Sequence, residues 1–113
     1  MTILEAIAAA IEPYSVSDEA LEKEFIDAQA FFKTSGNGED DYTASMHSVV
    51  ALAAMSCLNR LRTLTNENIG GISQSYDTAK LIQAIKGIAR RAGLSPLLVL
   101  DEDETSTSRI RVL

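Results

Sequence analysis

The chain has 113 residues, of which 46% are hydrophobic and 23% charged, with 16 acids against 10 bases for a formal net charge of -6. This is the composition of one folded domain rather than of a disordered chain, and its acidity runs against a general binder of nucleic acid or anionic membrane. A single cysteine, Cys57, excludes an internal disulfide and a multi-cysteine zinc site, and no apolar run approaches the roughly 20 residues that span a bilayer.

The opening Met1-Thr2-Ile3-Leu4-Glu5 lacks the basic start of a secretory leader, so a soluble intracellular domain is expected. Ile3, Leu4, Ile7, Ala8 and Ile11 recur at helical intervals and predict a first helix from about Ile3 to Glu12. Thr2 and Glu5 have the spacing of a capping box. Pro13 is expected to stop the helix, because proline disfavours the helical conformation in the residue before it.

A second helix is predicted after Ser17, a good N-cap, with Asp18 and Glu19 in the first turn where the helix dipole favours acids. Leu21, Phe25, Ala28 and Phe32 mark its inner face, with Phe31 at the edge and Lys33 in the last turn. The run Thr34-Ser35-Gly36-Asn37-Gly38 is expected to close it through a glycine in the left-handed region.

The third helix is predicted from Asp41 or Tyr42 to Leu64. Its stripe is Tyr42, Met46, Val49, Val50, Ala53, Cys57, Leu61 and Leu64, widened by Leu52, Met55 and Leu58. So broad an apolar surface predicts a helix touched on more than one side, either the central helix of the fold or one also used at a subunit interface. Gly70 and Gly71 then break any helix. Ile72, Gln74 and Tyr76 alternate with Ser73 and Ser75, which predicts a short extended segment that must pair within the chain or with a neighbour.

Asp77 is expected to cap a fourth helix from Thr78 to Ala92, with Leu81, Ile82, Ile85, Ile88 and Ala89 inside and Arg90 and Arg91 in the last turn. Gly93 stops it and Pro96 follows. Residues 97–113 read as an extended tail or hairpin: apolar Leu97 to Leu100, acidic Asp101 to Glu104, then Arg109, Ile110, Arg111, Val112 and Leu113 alternating charge and aliphatic. The fold expected is all-α, a bundle of four main helices in a domain of residues 1–96 with that tail appended.

Charge is unevenly placed. Residues 1–59 hold ten acids and two bases, whereas residues 60–113 hold six acids and eight bases. Such polarity suits head-to-tail packing of identical subunits and is equally met by ordinary solvation.

Reactive constellations are scarce. His47 and Cys57 lie ten positions apart on the predicted third helix, about 15 Å along its axis, too far for a nucleophile–base hydrogen bond. Glu39-Asp40-Asp41 and Asp101 to Glu104 lack the spacing of an EF-hand loop. Gly70-Gly71 is not followed by the Lys-Ser/Thr of a phosphate loop. The pattern points away from an enzyme and away from a cofactor or metal site, toward a protein that works by contact.

Three stretches resemble tailed-phage head-tail connector proteins, including versions encoded in prophages. Ile3-Leu4-Glu5 through Ser17-Asp18-Glu19-Ala20-Leu21 to Phe25-Ile26-Asp27-Ala28 looks like their opening. Tyr42-Thr43-Ala44 through Val49-Val50-Ala51-Leu52-Ala53-Ala54 to Leu58 is similar to their long Ala-rich helix. Asn68-Ile69-Gly70-Gly71-Ile72-Ser73-Gln74-Ser75-Tyr76-Asp77 looks like the segment between their last two helices, with Ile69 where an acid is usual. The resemblance spans residues 1–93. It implies a structural virion assembly protein, a homo-oligomeric ring of about a dozen copies by family analogy. That ring would contact the portal protein and a tail or stopper protein, with DNA passing through the lumen and no membrane involved. It would assemble in the bacterial host cytoplasm and end at the head-tail junction of the virion.

Under that resemblance the interface residues expected are Gly70, Gly71, Ile72, Ser73, Ser75 and Tyr76, together with Arg109, Ile110, Arg111 and Val112, adding strands to a neighbour or forming a hairpin within one chain. The alternative is a small phage helical DNA-binding or packaging protein such as a small terminase subunit, reading DNA with Lys80, Lys86, Arg90 and Arg91. A third reading is a small enzyme or ligand-binding bundle. Replacing Gly71 with Val is expected to reduce assembly if the turn is needed; unchanged oligomer size and stability would remove that requirement.

Overall fold

The computed structural model describes residues 1–67 and 77–100. The extended segment expected at 72–76, the glycines before it and the tail from residue 101 onward lie outside the described residues. The described chain is all-α, with α1 (Ile3–Ala10), α2 (Asp18–Phe32), α3 (His47–Glu67) and α4 (Thr78–Ala92). One 3-10 turn leads into α3 (Ala44–Met46) and another follows α4 (Pro96–Leu98).

α3 is the centre. Val49, Val50, Ala51, Leu52, Ala53, Ala54 and Met55 are all buried, so two consecutive turns are covered around the whole circumference. α1, α2 and α4 each pack on α3, and α1 also packs on α2. The alanines keep α3 thin enough for close approach, and Phe25, Ile7, Ile11, Leu81 and Ile85 fill the space around it.

Helix starts follow local chemistry. Thr2 Oγ1 accepts from the Glu5 N–H at 3.1 Å while the Thr2 N–H donates to Glu5 Oε1 at 2.8 Å, completing the expected capping box. Ser17 Oγ accepts from the Ala20 N–H at 3.1 Å. Asp77 Oδ1 accepts from the N–H groups of Ala79 and Lys80 at 3.0 and 3.3 Å. Gly93, at φ 73, closes α4 in the left-handed region as expected.

Four details depart from expectation, each because of backbone partners or packing. α1 ends at Ala10 with Ile11 as its cap, two residues before the expected Glu12. The chain turns at once, the Tyr14 N–H donating to the Ile11 carbonyl at 2.9 Å, and the Glu12–Pro13 peptide is cis. α2 is closed by Lys33 at φ 59 and not by a glycine, with the Thr34 N–H reaching back to the Gln29 carbonyl at 3.0 Å.

α3 begins at His47 rather than at Asp41 or Tyr42, because residues 38–42 cap α1. The Ile3 N–H donates to the Asp40 carbonyl at 2.9 Å, the Leu4 N–H to the Gly38 carbonyl at 3.1 Å, and the Tyr42 N–H to the Met1 carbonyl at 2.9 Å. Thr2 and Asp41 form an antiparallel bridge. The first N–H groups of a helix have no intrahelical acceptor, and here the α2–α3 loop supplies them. Finally, the start of the expected extended tail is not extended: Pro96–Leu98 is a 3-10 turn capped by Ser95, and Leu100 is buried in the core.

The α2–α3 loop holds itself in shape. The Asn37 N–H donates to Asp40 Oδ2 at 3.1 Å, and the Glu39 N–H to Asn37 Oδ1 at 2.8 Å. Gly38 is needed there for space, since a Cβ at this position would lie 2.6 Å from Leu4 Cγ. Gly38→Ala should therefore lower stability by about 1–3 kcal/mol, the usual cost of overpacking. A thermal melt checks this, and an unchanged melting temperature would mean that Leu4 yields freely.

Candidate functional site

None of the expected interface residues, Gly70, Gly71, Ile72, Ser73, Ser75, Tyr76, Arg109, Ile110, Arg111 and Val112, falls among the described residues. What the described chain presents is the outer surface of the helices around α3. The residues with catalytic potential are separated as their spacing required. Cys57 is fully buried in the core. Burial pushes its thiol from the ordinary 9.0 up to about 12, with the nearby Glu24 carboxylate adding to the rise and Arg60 opposing it. His47 is exposed at the first position of α3.

Among the described residues no three His, Cys, Asp or Glu side chains come together as a metal site. No helix among them is long and apolar enough to cross a membrane.

Among the described residues, grooves lie beside α3 on two sides. One, of about 500 Å³, is lined by Glu24 of α2, by Ser56, Asn59, Arg60 and Thr63 of α3, and by Leu98 and Val99 beyond α4. Arg60 Nη1 donates to Glu24 Oε2 at 3.1 Å across this groove, tying α2 to α3. Nothing in the local sequence pattern pairs these two residues, which are 36 positions apart. Arg62 is buried and donates through Nε and Nη2 to Oδ1 of the groove residue Asn59 at 2.9 and 2.7 Å. The second groove, of about 390 Å³, lies between α1, α3 and α4 and is more apolar, with Ala6, Ala9, Val50 and Ile88 in its lining and His47 and Arg91 beside them.

The outer helix faces carry the strongest pattern. α2 holds five acids and one base. That base, Lys23, is already engaged, donating to Asp27 Oδ2 at 2.6 Å, and this hydrogen bond raises its pKa. Asp18, Glu19 and Glu22 remain exposed without a cationic partner among the described residues. Ile26 and Phe31 lie exposed on the same helix, the Phe31 ring edge-on to Phe32 at 5.0 Å between centroids. α4 is the reverse: Lys80, Lys86, Arg90 and Arg91 with no acid in Thr78–Ala92. None of its four cations has an ion-pair partner among the described residues. The arrangement presents two oppositely charged helix faces.

A family model describing DUF6706, a family of unknown function, matches residues 1–111, and the chain belongs to that family. No curated protein and no solved structure matches it.

Ionisation of Cys57 should couple to stability. Because its folded pKa lies above the unfolded value, the stabilisation is complete below about pH 9 and is lost as pH rises toward about 12. Urea midpoints should fall more steeply over that window in the parent than in Cys57→Ala. Parallel curves would show that the thiol is not held protonated.

Proposed function

We propose that this DUF6706 chain is a structural virion assembly protein, a head-tail connector that forms a homo-oligomeric ring beneath the portal and joins head to tail. The observation that carries the reading is the opposite charge of two helices that flank α3, five acids and one base on α2 against four cations and no acid on α4. A chain built for contact with identical neighbours needs two unlike, complementary faces. The resemblance of residues 1–93 to connector proteins supplies the kind of assembly.

On this reading the protein is not an enzyme and takes no cofactor. Its partners are its own copies, the portal protein and a tail or stopper protein, and it works at the head-tail junction after assembly in the host cytoplasm. DNA passes through the lumen without being specifically held. A net charge of -6 suits that passage, because an acidic wall does not trap a polyanion.

One observation favours a second reading. The four cations of α4, undiluted by acids, are the only broad basic face among the described helices. They would serve a small phage DNA-binding or packaging protein such as a small terminase subunit, whose affinity for duplex DNA would fall steeply with salt.

The deciding experiment mixes the purified chain with assembled portal protein of the same genome and, separately, with duplex DNA at physiological salt. The connector reading expects a stable complex with the portal oligomer, seen as an added ring by electron microscopy, and no DNA retention. DNA retention without portal binding would replace it with the second reading.

A further inference from the structure

We infer that the basic outer face of α4 docks on the acidic outer face of α2 in a second copy of this chain, so that copies join head to tail. The inference rests on the ring-forming reading above and names the surfaces that would build the ring.

Both helices are 15 residues long, about 22 Å each at the standard rise. They are therefore matched in length as well as in charge. They do not satisfy each other within one molecule: among the described residues no acid of α2 forms an ion pair with a cation of α4. The faces are accessible: Lys80, Arg90 and Arg91 are exposed on α4, and Asp18, Glu19 and Glu22 on α2.

The α2 face also carries what an interface centre needs. Ile26 is 55% exposed one turn beyond Glu22, and Phe31 is 53% exposed near the helix end. Ile26, next to Glu22 on the helix surface, is the kind of exposed large apolar side chain that docking patches use. Opposite them, the outer side of α4 between Lys80 and Arg91 runs through the uncharged Gln83, Ala84 and Gly87, with the Arg91 guanidinium lying over Gly87.

The two faces are unlike, so the contact is heterologous: each copy offers one of each, and repetition leads to a ring where the rotation closes. A twofold pair that set α2 on α2 or α4 on α4 would oppose like charges; one that set α2 on α4 twice would stop at two copies, and a mass that stops there overturns the head-to-tail arrangement. The contact depends on exposed ion pairs and should weaken with salt, since the screening length is about 8 Å at physiological ionic strength.

The test is a charge exchange. One variant carries Lys80→Glu and Arg91→Glu; the other carries Glu19→Lys and Glu22→Lys. All four positions are exposed, and circular dichroism confirms that each variant is folded. Light scattering behind a sizing column over a concentration series reads association. The parent chain should associate, with a midpoint that rises with salt. Each variant alone sets like charges together and should raise the midpoint by at least about 10-fold. An equal mixture of the two should recover the parent's association, because alternating copies restore every pair.

Variants that associate like the parent, or a mixture that stays apart, would overturn the inference. So would a parent chain that remains monomeric at millimolar concentration and low salt, or one whose α4 cations instead retain duplex DNA at physiological salt. Recovery in the mixture together with no portal binding would keep this contact and remove the connector reading. Portal binding by both variants with no exchange effect would do the opposite.

Discussion

The enclosure of α3 is the constraint from which the rest of the structure follows. Seven consecutive residues, Val49 to Met55, are buried, and a helix buried on every side must be surrounded. α1, α2 and α4 are therefore placed by the need to cover it, and the turn at Pro96–Leu98 brings Leu100 back to the same core. Once the apolar sides of three helices are turned inward, their outer sides must carry the charge. The sequence puts acids on one of them and cations on another. The charged faces are thus a consequence of the core arrangement and not a separate feature added to it.

The connection between α2 and α3 shows how closely the parts depend on each other. Its backbone carbonyls at Gly38 and Asp40 satisfy the first two N–H groups of α1. Thr2 and Glu5 satisfy their own. The short eight-residue α1 would be marginal alone, and it holds because the loop and the core both fix it. Glu24 and Arg60 then tie α2 to α3 through an ion pair.

Much of this was legible in the sequence, for a reason that can be located. Thr2, Ser17, Asp77 and Gly93 act on atoms within five residues of themselves, so a local pattern reveals them. The breadth of the apolar stripe on α3 likewise announced a central helix. What escaped was long-range. Tyr42 has the spacing of a helical stripe, yet its N–H goes to Met1, 41 positions away, and the helix starts later. Lys33 adopts the left-handed conformation that Gly36 or Gly38 would accept more easily, while Gly38 serves close approach to Leu4. Leu100 reads as part of a tail and packs in the core. For function, the residues singled out at 70–76 and 109–112 fall outside the described chain. The unpaired cations of α4 were visible as composition, but that no acid of α2 neutralises them became clear only from the arrangement around α3.

The most direct measurement of a contact-driven role is the mass of the purified chain in solution, by light scattering from micromolar to millimolar concentration. Head-to-tail assembly predicts a mass that rises with concentration to one defined species of many copies, and that falls back as salt is added. A compact dimer whose size ignores salt and that retains duplex DNA would contradict it.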